Sequence, residues 1–197
     1  SQKEMSIFQP DRYLLIKQIK KHAHYIKGIV LDAGSGDGER YKKFFNFDKY
    51  IKLDINKDNY PDIIGSVENI PLDDNSVDSV VSTQVLEHVK NPNKVVDEFY
   101  RVLKPGGYCL VTVPQLNELH EEPHDYLRFT KYILKEKISE LGFQIVYLKE
   151  TGRSFAVVGQ AFCNAIILLF DLEHIKNIFN FLSGKKSNHI GKSIIYA

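Results

Sequence analysis

A glycine-rich turn early in the chain has the residue types and spacing of a ligand-binding loop. An apolar run reaches Asp32 and is followed by Gly34, Gly36 and Gly38, and Asp54 ends the next apolar run. Glycine lets the backbone approach a ligand closely, because a side chain there would clash or forbid a positive φ angle. An acid at the end of the second strand is placed to accept hydrogen bonds from ribose hydroxyls. The pattern predicts a nucleotide site at the carboxyl edge of a parallel sheet.

Two features of this turn disfavour a hydride-transferring dehydrogenase. The dinucleotide fingerprint would need its third glycine at position 39, where this chain has Glu39. Asp32 would also place a carboxylate beside the two phosphate charges of a pyrophosphate. A carboxylate at this point suits a ligand with a cationic end.

A second candidate site is the polar segment at residues 120–130, which carries two histidines, three acids, an arginine and a tyrosine. It follows a predicted strand, so it is expected over the same sheet edge. His124 beside Asp125 could accept a proton from an attacking hydroxyl, as could His120 with a distant acid. Arg128 could hold an anionic group or pair with a protein carboxylate. The alternative is that these residues brace the loop against the sheet. The residues predicted to contact the acceptor are His120, Tyr126 and Arg128.

The elements that must position these residues alternate between strand and helix patterns. Strands are predicted at 29–32, 50–55, 63–65, 77–83, 108–113 and 143–148, and helices at 39–47, from Pro92 to about 103, and from Thr130 to Gly142. A further helix is predicted to start at Pro10. Such alternation predicts an α/β fold with a parallel sheet and helices on both faces.

The turn and its successors resemble the motifs of one enzyme family. Residues 30–38, Val-Leu-Asp-Ala-Gly-Ser-Gly-Asp-Gly, closely resemble motif I of the class I S-adenosylmethionine (SAM)-dependent methyltransferases. Further segments similar to that family's motifs follow in order: Asp54, 65–72, 77–82, 84–89 and 101–107. The resemblance covers about residues 28–150 and is nearest to the type 11 branch. It implies a Rossmann-like, doubly wound, seven-stranded and mostly parallel sheet, with 143–148 as the sixth strand and 193–196 as an antiparallel seventh.

The resemblance also implies a SAM cofactor and assigns residues to it. The methionine end would be held by Asp32, Gly34, Ser35, Gly36 and the backbone of Gln84. Asp54 would bind the ribose hydroxyls, and His88 would close over the site. The adenine would be contacted by Ile55, by the backbone N–H of Val67 and by Ser66, which stands where family members often carry aspartate.

Composition limits the partners and the compartment. The formal net charge of +1 gives no general electrostatic case for nucleic acid. Two cysteines without metal-site spacing, and no evident signal peptide, favour a reduced, cytoplasmic setting. No metal ion is predicted, and the whole chain, 1–197, is expected to form one domain.

The expected activity is methyl transfer to a small molecule, at an oxygen of a sugar or similar hydroxylated metabolite. Stretches similar to the one at 123–130 occur in type 11 relatives associated with sugar and natural-product modification. The alternatives are N- or C-methylation of a small metabolite, or a non-catalytic SAM-binding partner protein. An apolar helical insert at about 154–190 is expected before the last strand. Its residues 155–182 are interpreted as a helical cover, a homodimer interface or a membrane-surface contact.

Overall fold

The computed structural model describes residues 10–36, 38–116, 119–151, 157–159 and 161–162. The chain divides into two compact units, one of Leu14–Thr151 and one of Ser1–Tyr13 with Gly152–Ala197. The strands are β1 (Ile29–Ala33), β2 (Lys49–Asp54), β3 (Ile63–Ile64), β4 (Val77–Thr83) and β5 (Leu103–Thr112). The helices are α1 (Pro10–His22), α2 (Glu39–Lys42), α3 (Pro92–Val102) and α4 (Lys131–Glu140), with short 3₁₀ turns at Ala23–Tyr25, Lys57–Asn59 and Leu86–His88.

The five strands form one parallel sheet in the order β3-β2-β1-β4-β5. The chain moves outward from β1 through β2 to β3 and then crosses back to β4 on the other side of β1. This reversal creates a topological switch point at the carboxyl ends of β1 and β4, where open α/β sheets bind ligands. The predicted parallel α/β architecture is therefore confirmed, and the first five predicted strands are present along the chain.

Each face of the sheet is covered by its own apolar cluster. Leu31 and Val80 face a cluster that includes Phe99 of α3, and Val30 and Val81 face a cluster that includes Ile19 of α1. Neighbouring strand residues thus point to opposite faces, both of which are covered, as expected of a parallel sheet.

Two predicted helix caps are present, whereas one helix boundary and one strand boundary differ from the prediction. Both helix caps are confirmed, because the side chains of Asn91 and Thr130 accept hydrogen bonds from Lys94 N and Ile133 N. The second helix, however, ends at Lys42 and not at 47. The chain turns there, and Phe45 is buried in the cluster with Val30. The last strand, β5, begins at Leu103, five residues before the predicted start.

The early start of β5 involves a bulge that sequence periodicity does not show. Val77 pairs with Leu103, whereas Ser79 pairs with Tyr108, so extra residues are accommodated between the two pairs. Gly107 lies in this bulge, where a Cβ atom would stand 2.8 Å from the Asp78 carbonyl oxygen. Gly107, one of the glycines predicted to stop the helix, therefore serves a close backbone approach within the strand.

The expectation of seven strands is not met by the residues that the structure describes. The segment at 143–148 is not one of the sheet strands. At the start of this segment, the Phe143 ring packs edge-on against Tyr100 with centroids 5.1 Å apart. Further along, Val146 is 56% exposed. The predicted strand at 193–196 and most of the apolar insert at 154–190 lie outside the described residues. Within the described ranges, none of the helices has the length and apolarity needed to cross a bilayer.

An ion pair on α3 ties that helix to the segment before β4. Glu98 Oε2 accepts from Ile70 N at 2.7 Å, and Glu98 Oε1 accepts from Arg101 Nε at 2.8 Å. Arg101 also donates to the carbonyl oxygens of Ile70 and Leu72, both at 2.8 Å. The hydrogen bond from Arg101 is the main cause that lowers the pKa of Glu98 from its ordinary 4.5.

We expect Glu98→Gln to lower the free energy of unfolding by about 1–3 kcal/mol at neutral pH, the range for hydrogen bonds to charged groups. The folded pKa of Glu98 is depressed, so its contribution is present above about 4.5 and is lost as pH falls through the lower folded value. Urea unfolding at neutral and acid pH measures this, with Asp97→Asn on the exposed side of α3 as the matched control. A Glu98→Gln deficit that is equally large in acid would contradict the ion-pair account.

Candidate active site

The glycine turn after β1 is hydrogen-bonded to the end of β2. Gly34 N and Ser35 N both donate to the Leu53 carbonyl oxygen, at 2.9 and 3.0 Å. Gly36 N donates to Asp54 Oδ2 at 2.7 Å. The predicted cofactor residues of β1 and β2 are therefore joined directly.

Two glycines of this turn have different roles. Gly34 has a φ of +75°, and a Cβ atom there would lie 2.5 Å from a methyl carbon of Val85. Gly36 has a φ of +53°, and a Cβ atom there would meet none of the described residues within 4 Å. Gly34 is needed for packing within the protein, whereas Gly36 borders open space in which a ligand can reach the backbone.

Asp54 combines burial with an ordered carboxylate. It is 8% exposed, and its Oδ1 accepts from Asn56 N at 2.8 Å. A carboxylate can accept about four hydrogen bonds, so capacity for hydroxyl donors remains beside the bonds from Gly36 and Asn56. The next residue, Ile55, has 77% of its surface exposed. An ordered acid followed by an exposed apolar side chain fits a ribose and a base.

Asp32 is oriented by a tyrosine that sequence reasoning missed. The Tyr50 hydroxyl donates to Asp32 Oδ2 at 2.8 Å, and Asp32 is 7% exposed. Tyr50 lies on the neighbouring strand β2, where it pairs with Val30, two residues before Asp32. Residues two apart share a face of the sheet, so the register of β1 and β2 creates this contact. No local signal in the sequence reveals it.

The predicted adenine residues follow β3. Gly65 N donates to the Asp54 carbonyl oxygen at 3.0 Å, which holds this segment beside β2. The Ser66 hydroxyl accepts from Glu68 N at 3.1 Å, and Val67 is 8% exposed. The Ser66 hydroxyl thus stabilises its own turn in addition to any contact with a ligand.

Gln84 begins the irregular segment after β4 and has a φ of +57°. This left-handed conformation costs a residue other than glycine about 1–2 kcal/mol. Its backbone N donates to the Thr112 carbonyl oxygen at 2.9 Å, and its side chain reaches Thr112 Oγ1 at 3.3 Å. Backbone strain that the surrounding structure maintains is common at functional sites. The left-handed conformation of Gln84 turns the chain from β4 into the segment Leu86–His88.

The polar loop of residues 119–130, which we call the His120 loop, is anchored to this segment. Tyr126 N and Leu127 N both donate to the Glu87 carbonyl oxygen, at 2.8 and 3.2 Å. His88 Nδ1 lies 2.8 Å from the His124 carbonyl oxygen. The structure therefore places the predicted acceptor residues next to the segment that follows β4.

Within the loop, the hydrogen-bond partners differ from those suggested by sequence adjacency. Asp125 accepts from Arg128 and from His120 N, the latter at 3.0 Å, and lies 3.2 Å from His120 Nδ1. His124 Nδ1 instead lies 2.9 Å from the Tyr126 hydroxyl. The expected pairing of His124 with Asp125 is thus corrected: residues adjacent in an extended chain point in different directions. Of the two roles suggested for Arg128, the structure shows the pairing with a protein carboxylate, that of Asp125, and this pairing braces the loop.

Charge stabilisation accompanies this bracing. The hydrogen bond from Arg128 is the largest cause that holds the pKa of Asp125 well below its ordinary range. The Asp125 side chain is 1% exposed and that of Arg128 is 24% exposed. Asp125 therefore remains an anion that orients His120.

Glu87 is the residue of this region that sequence reasoning missed. Its side chain is fully buried, and neither carboxylate oxygen has a hydrogen-bond partner among the described residues. Burial raises the pKa of Glu87 to about 7. Glu87 Oε1 lies 3.8 Å from His88 Nε2 and 4.0 Å from His120 Nε2. The available signal was an acid next to a histidine shortly after a buried strand.

The sequence and the fold are both similar to those of known methyltransferases. Residues 31–111 match the family model Methyltransf_11, described as a methyltransferase domain. The protein MJ1123 of Methanocaldococcus jannaschii is 28% identical over 155 residues, which cover 69% of this chain and 73% of that protein. A demethylmenaquinone methyltransferase of Paenarthrobacter aurescens is 32% identical over 112 residues, which cover 52% of this chain and 43% of the relative.

A solved structure of similar fold is phosphoethanolamine N-methyltransferase 2 of Haemonchus contortus, determined in complex with SAM. Its TM-score is 0.57 at 20% identity, and the match covers 88% of this chain and 45% of that one. The fold and the glycine turn thus define a Rossmann-like methyltransferase domain. Residues 31–111 carry the methyltransferase domain of the type 11 family of class I SAM-dependent methyltransferases, a family whose cofactor is SAM.

We expect Gly34→Ala to cost about 2–4 kcal/mol of stability, because it adds overpacking against Val85 to the strain of a positive φ. Val85→Ala in the same chain should recover the steric part, so that the double variant is less destabilised than the sum of the two single changes. Denaturant unfolding of all three variants measures the coupling. Additive effects would show that Val85 does not restrict position 34.

Proposed function

We propose that this domain transfers a methyl group from SAM to a hydroxyl group of a small polar metabolite, such as a sugar. The observation that carries the proposal is the anchoring of the His120 loop to the Glu87 carbonyl, because it brings proton-accepting side chains to the sheet edge that carries the glycine turn. The domain family supports the cofactor, and the acceptor is inferred from the loop.

The residues at the edge of the sheet fit SAM. Gly36 offers an open backbone approach, and Asp54 supplies a buried carboxylate for the ribose. Ile55 presents an exposed apolar surface to the adenine. SAM supplies an electrophilic methyl group on a sulfonium when it is bound. The remaining proposed cofactor contacts are those of Asp32, Gly34, Ser35, Ser66, Val67, Gln84 and His88.

The acceptor is proposed to lie against the His120 loop. His124 is exposed, and its Nδ1 is engaged with the Tyr126 hydroxyl. When Nδ1 carries the proton, Nε2 keeps a lone pair that can accept the proton of an attacking hydroxyl. Asp125 and Arg128 contribute by holding the loop in place. Methyl transfer depends strongly on alignment, so this bracing is part of the proposed mechanism.

The cofactor proposal is tested by titrating the protein with S-adenosylhomocysteine in a calorimeter. Gly36→Ala should weaken binding at least about tenfold, which corresponds to roughly 1.4 kcal/mol, because its methyl group would occupy the open space at the turn. Gly106→Ala is the matched control: Gly106 also has a positive φ, of +80°, and a Cβ atom there also meets nothing within 4 Å.

Both changes should destabilise the fold by about 1–2 kcal/mol, but only the first should affect the ligand. Equal affinities of the two variants would remove Gly36 from the cofactor site. An intact, folded protein that does not bind S-adenosylhomocysteine would contradict the assignment as a whole.

The role of His124 is tested by assaying methyl transfer to a panel of hydroxylated acceptors. His124→Ala should lower kcat by roughly 100-fold or more, the range for loss of a general base, without changing the affinity for S-adenosylhomocysteine. His24→Ala, a change at another exposed histidine, is the control. Unchanged kcat on these acceptors would remove His124 as the base, and turnover confined to amine or carbon acceptors would favour N- or C-methylation. Cofactor binding without turnover on any acceptor would favour a non-catalytic partner protein.

A further inference from the structure

Among the residues that the structure describes, no hydrogen bond accounts for the burial of the Glu87 carboxylate. Its side chain is fully buried, and both oxygens lack hydrogen-bond partners among the described residues. Buried polar groups are almost always paired, and a buried carboxylate is paired or coordinates a metal. Neither the proposed cofactor contacts nor the proposed proton transfer uses this side chain.

Two histidine nitrogens are nearest to it. Glu87 Oε1 lies 3.8 Å from His88 Nε2 and 4.0 Å from His120 Nε2, distances too long for hydrogen bonds. One ligand-type atom of each residue lies within 4.8 Å of the others. Atoms that share a tetrahedral ion at about 2.0–2.1 Å are roughly 3.3 Å apart, so small side-chain shifts would suffice.

The opposite ring nitrogens are already engaged. His88 Nδ1 lies 2.8 Å from the His124 carbonyl oxygen, and His120 Nδ1 lies 3.2 Å from Asp125 Oδ2. Each acceptor favours a proton on Nδ1, which leaves a lone pair on Nε2. A carbonyl or carboxylate behind each imidazole is the usual outer partner of a metal-binding histidine. Arg128 holds Asp125 in this position.

We propose that Glu87, His88 and His120 bind a divalent transition-metal ion, with Zn²⁺ as the probe that best matches the donor set. Two imidazole nitrogens and one carboxylate oxygen, without a thiolate, suit Zn²⁺. Three protein ligands leave a coordination position open for water or for an oxygen of another molecule. Glu121, whose Oε2 lies 3.9 Å from His88 Nε2 and whose side chain is 77% exposed, is available as a fourth ligand.

The site does not depend on the identity of the methyl acceptor. It differs from our sequence-based expectation that no metal ion is bound. It also gives His120 a role other than acceptor contact, and it leaves His124 as the proposed base.

The test is calorimetric titration of tag-free, EDTA-stripped protein with Zn²⁺, with Co²⁺ absorption as a second readout. We expect one ion per chain with a dissociation constant in the micromolar range or below. His88→Ala, His120→Ala and Glu87→Gln should each weaken binding at least tenfold, and Asp125→Asn should weaken it about tenfold through His120. His24→Ala should bind as the parent does.

Circular dichroism checks each variant for folding. Titration of Glu87→Gln and His120→Ala, neither of which changes a proposed cofactor contact, with S-adenosylhomocysteine distinguishes a lost metal site from a lost cofactor site. If a variant fails to fold, NMR of the intact protein tests the site instead, through the shifts that Zn²⁺ causes in the imidazole resonances. Shifts at His88 and His120 but not at His24 support the site. No binding by the intact protein, or undiminished binding by the two histidine variants, would overturn the proposal.

Discussion

The carbonyl oxygen of Leu53 is the point on which the cofactor site depends. It accepts hydrogen bonds from both Gly34 and Ser35, and the next residue, Asp54, accepts one from Gly36. Three consecutive N–H groups of the turn are therefore directed at the end of β2. The glycine turn takes its shape from the neighbouring strand, and the carboxylate proposed to hold the ribose is the same group that fixes the turn.

A second junction of this kind lies on the other side of β1. The Glu87 carbonyl oxygen accepts from Tyr126 N and Leu127 N, so one backbone atom anchors two consecutive residues of the His120 loop. Val85, just before it, packs where a side chain at position 34 would be. The segment after β4 thus contacts the turn on one side and the loop on the other. A change in any of these three parts is expected to move the others.

The sequence predicted the parts of this arrangement that have a local signal. The caps at Asn91 and Thr130 depend on residues three positions apart in the chain, and both form as predicted. The first five strands follow from apolar runs and turn residues. Contacts between Tyr50 and Asp32, and between Asp125 and His120, depend on strand register and on the path of a loop. Periodicity carries no information about either, which is why Asp125 was assigned to the adjacent His124.

Unfavourable local features are concentrated at the carboxyl edge of the sheet. Gln84, Gly34 and Gly36 all have positive φ angles there. Glu87 is buried without a hydrogen-bond partner among the described residues. Each of these lowers the stability of the protein alone. A stable sheet, with Leu31 and Val80 fully buried at its centre, offsets these costs. Unfavourable local features of this kind are expected at a binding site, because a bound ligand can supply the interactions that the protein's own residues do not make.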